Sequence, residues 1–232
     1  MKKIIAFGAS SSIHSINKKL ATYAASCVPN AQATVLDLND YEMPIFSVDR
    51  QNKDGFPQLV HDFKDLLMSA DGIIISFAEH NSSYSAAFKN IFDWISRFDG
   101  DIWYSKPMLL LATNDGDRGA KTVLEQANNR IARKNPYDVP HFSLPNFSKT
   151  FDQNKGILDS KLEAQFQNLH LDLPWMPTTK DLIWRYLHKE WQEIKYFKDC
   201  EDLISQRLIT LRMPWADGLE KERRMIIPDL SI

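Results

Sequence analysis

KKIIAFGASSSIHSINKKLA, Lys2 to Ala21, sets a short apolar run, Ile4 to Phe7, against Gly8. A hydroxyl-rich loop, Ala9-Ser10-Ser11-Ser12-Ile13-His14-Ser15, then leads into a helical pattern at Ile16 and Asn17. This is a strand, a loop and a helix. Gly8 permits the sharp exit from the strand. The serines put hydroxyl donors where a helix N-terminus already offers free backbone N–H groups and the positive end of its dipole, the usual composition of a phosphate site. The loop contains neither the GxxxxGK[ST] of a nucleoside-triphosphate loop nor the GxGxxG of a dinucleotide fold. A phosphate held mainly by neutral donors is therefore expected, at the carboxyl end of a strand in a doubly wound sheet. The other reading is a serine-rich turn that caps a helix and binds nothing. This stretch by itself leaves both open.

Outward from it, strand and helix patterns alternate. Ile16 to Ala25 places Leu20, Tyr23 and Ala24 at helical spacing. Ala33 to Leu38 reads as a second strand, and Asn39 to Phe46 as a long surface connection because of its proline and acidic residues. Phe56 to Ala70 carries a periodic apolar face. Gly72 to Phe77 is nearly continuous apolar β sequence, as in a central parallel strand buried on both sides. A polar and aromatic loop, Ala78 to Ser85, precedes a helix from Ala86 to Arg97. Pro107 to Thr113 is a fourth strand, Thr113 to Ala120 a loop, and Lys121 to Arg133 a helix. Pro140 to Pro145 is a short fifth strand whose prolines point to a sheet edge, and Asp159 to Leu169 a closing helix. The fold class is α/β, a five-stranded parallel sheet covered on both faces. Three polar loops then lie at the carboxyl ends of strands one, three and four.

Composition narrows the function classes. Of the 232 residues, 44% are hydrophobic and 25% charged, ordinary values for a globular chain. A net charge of -2 provides no whole-chain basic signature, which argues against nucleic acid as the main partner while leaving local patches open. No apolar run approaches the roughly 18 residues that span a bilayer, and the N-terminal run is too short for a signal-peptide core, so a cytoplasmic protein without a membrane span is expected. Cys27 and Cys200 are far apart and outside any CxxC spacing, and read as free thiols. No GxSxG, HExxH or metal-ligand histidine spacing occurs.

The three loops together resemble the NADPH-dependent FMN reductase family, a flavodoxin-like group that includes quinone, azo-dye and chromate reductases. The family's first motif, roughly GSxRxxSxN, is similar to Ser10, Ser12, Ser15 and Asn17, with Ala9 in place of the glycine and Ser12 in place of the arginine. The second, roughly PEYNxSxPxxLKNxxDW, is similar to Ala78 through Trp94, matching in Glu79, Asn81, Lys89-Asn90 and Asp93-Trp94. Ala78 replaces the proline there, and His80 the flavin-stacking tyrosine. The glycine-rich third motif resembles Thr113 to Ala120. The resemblance covers about residues 1–170 and implies strand order 2-1-3-4-5.

It also implies a site. Ser10, Ser12, Ser15, Ile16 and Asn17 would cradle the FMN phosphate. Glu79, His80, Asn81 and Ser82 would form the shelf for the ring, presenting backbone amides to its edge. Thr113, Asn114, Gly116, Arg118 and Gly119 would approach the ring and ribityl chain, Arg118 alternatively being a solvated loop residue. Lys89, Asn90, Asp93 and Trp94 share one helix and read as a packing or subunit-contact face. No side-chain acid or base is required, because the cofactor carries the chemistry. The implied activity is ping-pong: hydride transfer from NADPH or NADH to bound FMN, then electron transfer to a quinone-like or other small-molecule acceptor. A homodimer or homotetramer is implied as well.

The sequence leaves two alternatives. One is a non-enzymatic FMN-binding or interaction module whose nicotinamide site is blocked by the C-terminal extension. The other is a flavodoxin-type electron carrier, which the near-neutral charge disfavours. The expected division is a flavodoxin-like domain over residues 1–173 and a mainly helical extension over 174–232, packed on that domain or on a dimer partner. In the extension, Lys180 to Phe197 has a wide apolar face, and fewer than about 60 such residues do not make a stable core alone.

Overall fold

The computed structural model describes residues 1–98 and 102–169. The extension expected over 174–232, its helix from Lys180 to Phe197 and Cys200 lie outside the described residues.

The elements in order are β1 (Lys2–Ala9), α1 (Ile16–Ser26), β2 (Ala31–Leu36), α2 (Val48–Asp54), α3 (Gln58–Ser69) and β3 (Gly72–Phe77). Then come β4 (Glu79–His80), β5 (Ser83–Tyr84), α4 (Ala86–Ile95), β6 (Met108–Thr113), α5 (Lys121–Ile131) and β7 (His141–Leu144). The last are α6 (Phe147–Thr150), β8 (Phe151–Asp152), β9 (Gly156–Ile157) and α7 (Ser160–Gln167). Five strands form one parallel sheet in the order β2-β1-β3-β6-β7. Counting sheet strands alone, this is the 2-1-3-4-5 flavodoxin-like order, with the proline-flanked strand at an edge.

The period-2 geometry of the central strands divides the core in two. Ile5 and Phe7 of β1, Ile73, Ile75 and Phe77 of β3, and Met108 and Leu110 of β6 pack with Phe63 and Leu67 of α3, Phe88 and Trp94 of α4, and Val123 and Ala127 of α5. The alternate residues Ile4, Ala6, Ile74, Leu109 and Leu111 pack with Leu20, Ala21 and Ala24 of α1 and Phe166 of α7. Every residue of β3 and β6 is buried, which explains why both read as unbroken apolar runs.

Three features depart from the expected pattern. β2 starts and ends two residues early; its end is set by Asp37, which turns the chain by accepting from the Asn39 N–H at 2.9 Å. The connection after it contains α2, capped by Ser47 and ended by Gly55 at φ +76°. That helix buries no residue, so it has no apolar period to reveal it. The loop after β3 folds back as the β4–β5 hairpin, with Asn81 (φ +50°) and Ser82 (φ +62°) in the left-handed region that a two-residue turn requires.

Candidate functional site

The loop after β1 is set by contact between a glycine and a helix. A Cβ on Gly8 would lie 2.4 Å from the Lys18 nitrogen and 2.8 Å from its Cα, so α1 begins directly against the strand end. Within the loop each of three serine oxygens accepts a backbone N–H. Ser10 Oγ accepts from Ser12 at 3.1 Å, Ser12 Oγ from His14 at 3.3 Å, and Ser15 Oγ, the N-cap of α1, from Lys18 at 3.1 Å. With a main-chain donor directed at each oxygen, the three O–H hydrogens are left to donate outward; among the described residues none has an acceptor. The first-turn amides of Ile16 and Asn17 also have no acceptor among the described residues. Five donors at a helix N-terminus suit an anion. The nearby Lys18 ammonium is tied to Asp37 at 2.6 Å, a hydrogen bond that holds that carboxyl below the usual carboxylate range.

The second loop is anchored on three sides. Ser85 caps α4, accepting from Phe88 N at 3.2 Å, and donates to the Ala9 carbonyl at 2.8 Å, joining it to the first loop. Glu79 Oε2 accepts from Val123 N of α5 at 3.0 Å, and Ser83 Oγ donates to Gln126 Oε1 at 3.1 Å. His80, Asn81 and Ser82 form the exposed hairpin tip. Beneath it Tyr84 packs against Phe77, Phe88 and Phe92, and burial pushes its phenol up to about 12.

The third loop is braced by the segment that follows β7. Asn114 O accepts from Phe147 N at 3.1 Å, Asp115 Oδ1 from Ser148 N at 2.8 Å, and Gly116 O from Asn146 N at 3.2 Å. The Ser148 hydrogen bonds lower the Asp115 carboxyl. Asn114 Oδ1 also accepts from Gly116 N at 3.1 Å. Gly119 has φ +57°, and a Cβ there would meet Ser143 Oγ at 2.4 Å and Pro145 N at 2.8 Å. Arg118 is exposed and donates from Nη2 to Thr122 Oγ1 at 2.9 Å.

Beneath all three loops lies a buried polar knot. Asn17 Oδ1 accepts from Ser76 Oγ at 2.7 Å and from Thr113 N at 3.1 Å, while Asn17 Nδ2 donates to Thr113 O at 3.1 Å. Thr113 Oγ1 donates to Leu144 O at 2.6 Å, extending the knot to the edge strand.

The sequence-predicted residues thus share the carboxyl edge of the sheet, but in two kinds of position. Ser10, Ser12, Ser15, Ile16, His80, Asn81, Ser82 and Arg118 keep free hydroxyls, free amides or exposed side chains. The side chains of Asn17, Glu79 and Thr113 are engaged within the protein, Asn114 is partly so, and Gly116 and Gly119 contribute backbone. Sequence reasoning missed Ser76 and Ser85. The first was signalled by being the only hydroxyl in the Gly72-Ile73-Ile74-Ile75-Ser76-Phe77 run, and the second by standing three residues before Phe88 at a helix start. On α4, Asn90 and Trp94 do not line these loops. They bind the segment after β2, through Asn90 Oδ1 from Phe46 N at 2.8 Å, Asn90 Nδ2 to Met43 O at 3.0 Å, and Trp94 Nε1 to Pro44 O at 2.8 Å. Lys89 and Asp93 pair with each other at 2.6 Å.

The family model for NADPH-dependent FMN reductase matches residues 2–148. The NADPH:quinone oxidoreductase of Arabidopsis thaliana is 26% identical over 149 residues, which are 63% of this chain and 74% of that protein. The quinone reductase of Escherichia coli strain K12 is 32% identical over 92 residues, 40% of this chain and 46% of that one, less than half its length. Among solved structures, the flavoenzyme NAD(P)H:(acceptor) oxidoreductase FerB from Paracoccus denitrificans superposes with a TM-score of 0.59 at 21% identity, over 75% of this chain and 96% of that one; the likeness is one of fold.

Proposed function

The chain belongs to the NADPH-dependent FMN reductase family, and from that premise we propose that it is an NAD(P)H-dependent oxidoreductase that passes electrons to a quinone-like or similar small-molecule acceptor. The observation that carries this reading is the donor set after β1. Three hydroxyls that accept main-chain N–H groups, and two first-turn amides without acceptors among the described residues, make a donor set of the kind that binds a phosphate monoester dianion. The residues therefore fit FMN. When bound, that cofactor supplies the redox chemistry, taking a hydride from NADPH or NADH in one half of a ping-pong cycle and releasing electrons to the acceptor in the other.

The protein's part is binding and orientation. Ser10, Ser12 and Ser15, with the amides of Ile16 and Asn17, hold the phosphate. The hairpin tip, Glu79 to Ser82, would offer backbone and the imidazole of His80 to the ring, and the Thr113–Gly119 loop would approach it with backbone at Gly116 and Gly119. Glu79 serves this site through its backbone, since its carboxylate is engaged by α5. We include in the proposal a flavin-binding unit over residues 1–173, self-association to a dimer or tetramer, and a cytoplasmic setting. Among the described residues no helix is long and apolar enough to cross a membrane.

The test is direct. The purified protein, or the protein mixed with FMN, is expected to be yellow and to release FMN identified by chromatography. Anaerobic stopped-flow mixing with NADPH is expected to bleach the flavin absorbance. A protein that binds no FMN would overturn the proposal. One that binds it and stays yellow under NADPH would be a flavin-binding module instead.

A further inference from the structure

We infer that Asn17 is a positioning residue that sets the span between the phosphate cradle and the Thr113–Gly119 loop, and so determines the preference for a phosphorylated flavin. This rests on the FMN reading above.

Asn17 is 3% exposed, Ser76 0% and Thr113 1%. Its Oδ1 takes two donors, the Ser76 hydroxyl and the Thr113 amide, and its Nδ2 returns a bond to the Thr113 carbonyl. A single side chain thus engages both main-chain polar groups of Thr113, and its planar geometry fixes that residue's orientation as well as its distance. The same residue occupies the second position of α1, where its own N–H is one of the free amides of the cradle. Side chain and main chain of Asn17 therefore face opposite tasks: the main chain meets the anion, and the side chain hooks the first turn of α1 to the ends of β3 and β6.

A flavin mononucleotide must satisfy the cradle with its phosphate and the third loop with its ring and ribityl chain together. Riboflavin needs only the latter. A rigid hook between the two regions favours the ligand that spans both, because binding at one end leaves the other already placed. Loosening the hook removes that advantage without removing any group that touches the flavin. Apolar replacement at position 17 removes both side-chain bonds to Thr113 in a buried place, leaving that residue held by the sheet alone and less fixed in its orientation.

The experiment measures dissociation constants of FMN and riboflavin for the wild type, Asn17→Ala and Ser76→Ala, together with amide hydrogen exchange at Thr113 in the flavin-free proteins. The wild type is expected to prefer FMN. Asn17→Ala is expected to reduce that preference roughly tenfold or more, with riboflavin affinity nearly kept and exchange protection at Thr113 lowered. Ser76→Ala removes one of the three bonds and preserves both to Thr113. It should fold and show a few-fold reduction, so the test stands even if Asn17→Ala does not fold. A variant set in which both flavins weaken equally, or in which the FMN preference is unchanged, would overturn the inference. A wild type without affinity for FMN would instead overturn the functional reading, and the exchange result at Thr113 would still report whether Asn17 holds that residue.

Discussion

Glu79 and Val123 are joined across the site: the carboxylate of the β4–β5 hairpin accepts the first-turn amide of α5 at 3.0 Å. α5 lacks a cap of its own, because Ala120 occupies the N-cap position and has no side-chain acceptor. The hairpin thus completes a neighbouring helix, and in doing so is itself held down.

Removing that carboxylate should be felt in stability first. Glu79→Ala is expected to destabilise the protein by about 1 kcal/mol, the typical value of a lost cap. Glu79→Gln retains an acceptor but loses the interaction of its charge with the helix dipole, about 0.3–1 kcal/mol, and should fall between. Urea unfolding midpoints measure both. A Glu79→Ala midpoint equal to that of the wild type would mean that water replaces the carboxylate at no cost.

Gly8→Ala tests the start of the phosphate loop. The added methyl would sit 2.4 Å from Lys18 N and 2.9 Å from the Asn17 carbonyl carbon, all backbone, so α1 must move away from β1. A loss of about 1–3 kcal/mol is expected, with weaker FMN binding because the donor set moves with the helix. Gly55→Ala is the control. Its φ is +76° and ψ −158°, a region nearly reserved for glycine, but nothing lies within 4 Å of the new methyl, so it should cost about 1–3 kcal/mol in backbone strain and leave FMN affinity unchanged. Equal effects on binding would separate FMN affinity from the β1–α1 contact.

The fold was legible because its central strands are buried on both faces. Gly72 to Phe77 needs no context to be read as a core strand, and its observed bounds coincide with the expected ones. What sequence could not show is which polar side chains look inward. Asn17 and Ser15 stand two residues apart in the same motif, yet Ser15 leaves its O–H to the loop while Asn17 turns its amide beneath it. That choice depends on β3 and β6, residues 59 and 96 positions further along. The β4–β5 hairpin was hidden for another reason: its turn uses Asn81-Ser82 without the glycine that ordinarily announces such a turn. α2 was hidden because it buries nothing.

Asn90 offers a contrast between packing and binding. It holds Phe46 N, Met43 O and Pro44 O, and Asn90→Ala would remove these bonds, while Pro44 O keeps the one from Trp94 Nε1. A destabilisation of about 1–3 kcal/mol is expected, with the FMN dissociation constant unchanged. The family motif places Asn90 within a flavin-associated segment, so an unaltered affinity would assign it to the scaffold. A large loss of affinity at unchanged stability would assign it to the site.

Tyr84 sets an alkaline limit. Its ring packs with Phe77, Phe88 and Phe92, and burial raises its phenol from an ordinary value near 10 to about 12. Between these values the folded chain keeps a proton that the unfolded chain has released, so this contribution is fully present below pH 10 and is lost as pH rises toward 12. Burial raises Tyr23 and Tyr41 as well, in the same direction. Tyr84→Phe preserves the ring contacts and removes one titrating group. Near neutral pH its stability is expected within about 0.5 kcal/mol of the wild type, since no hydrogen bond of the phenol is present among the described residues. Above pH 10 its urea midpoint should fall less steeply than that of the wild type. An alkaline decline of the same steepness in both would show that Tyr84 ionises in the folded protein as readily as in the unfolded chain, and that its burial does not exclude the phenolate.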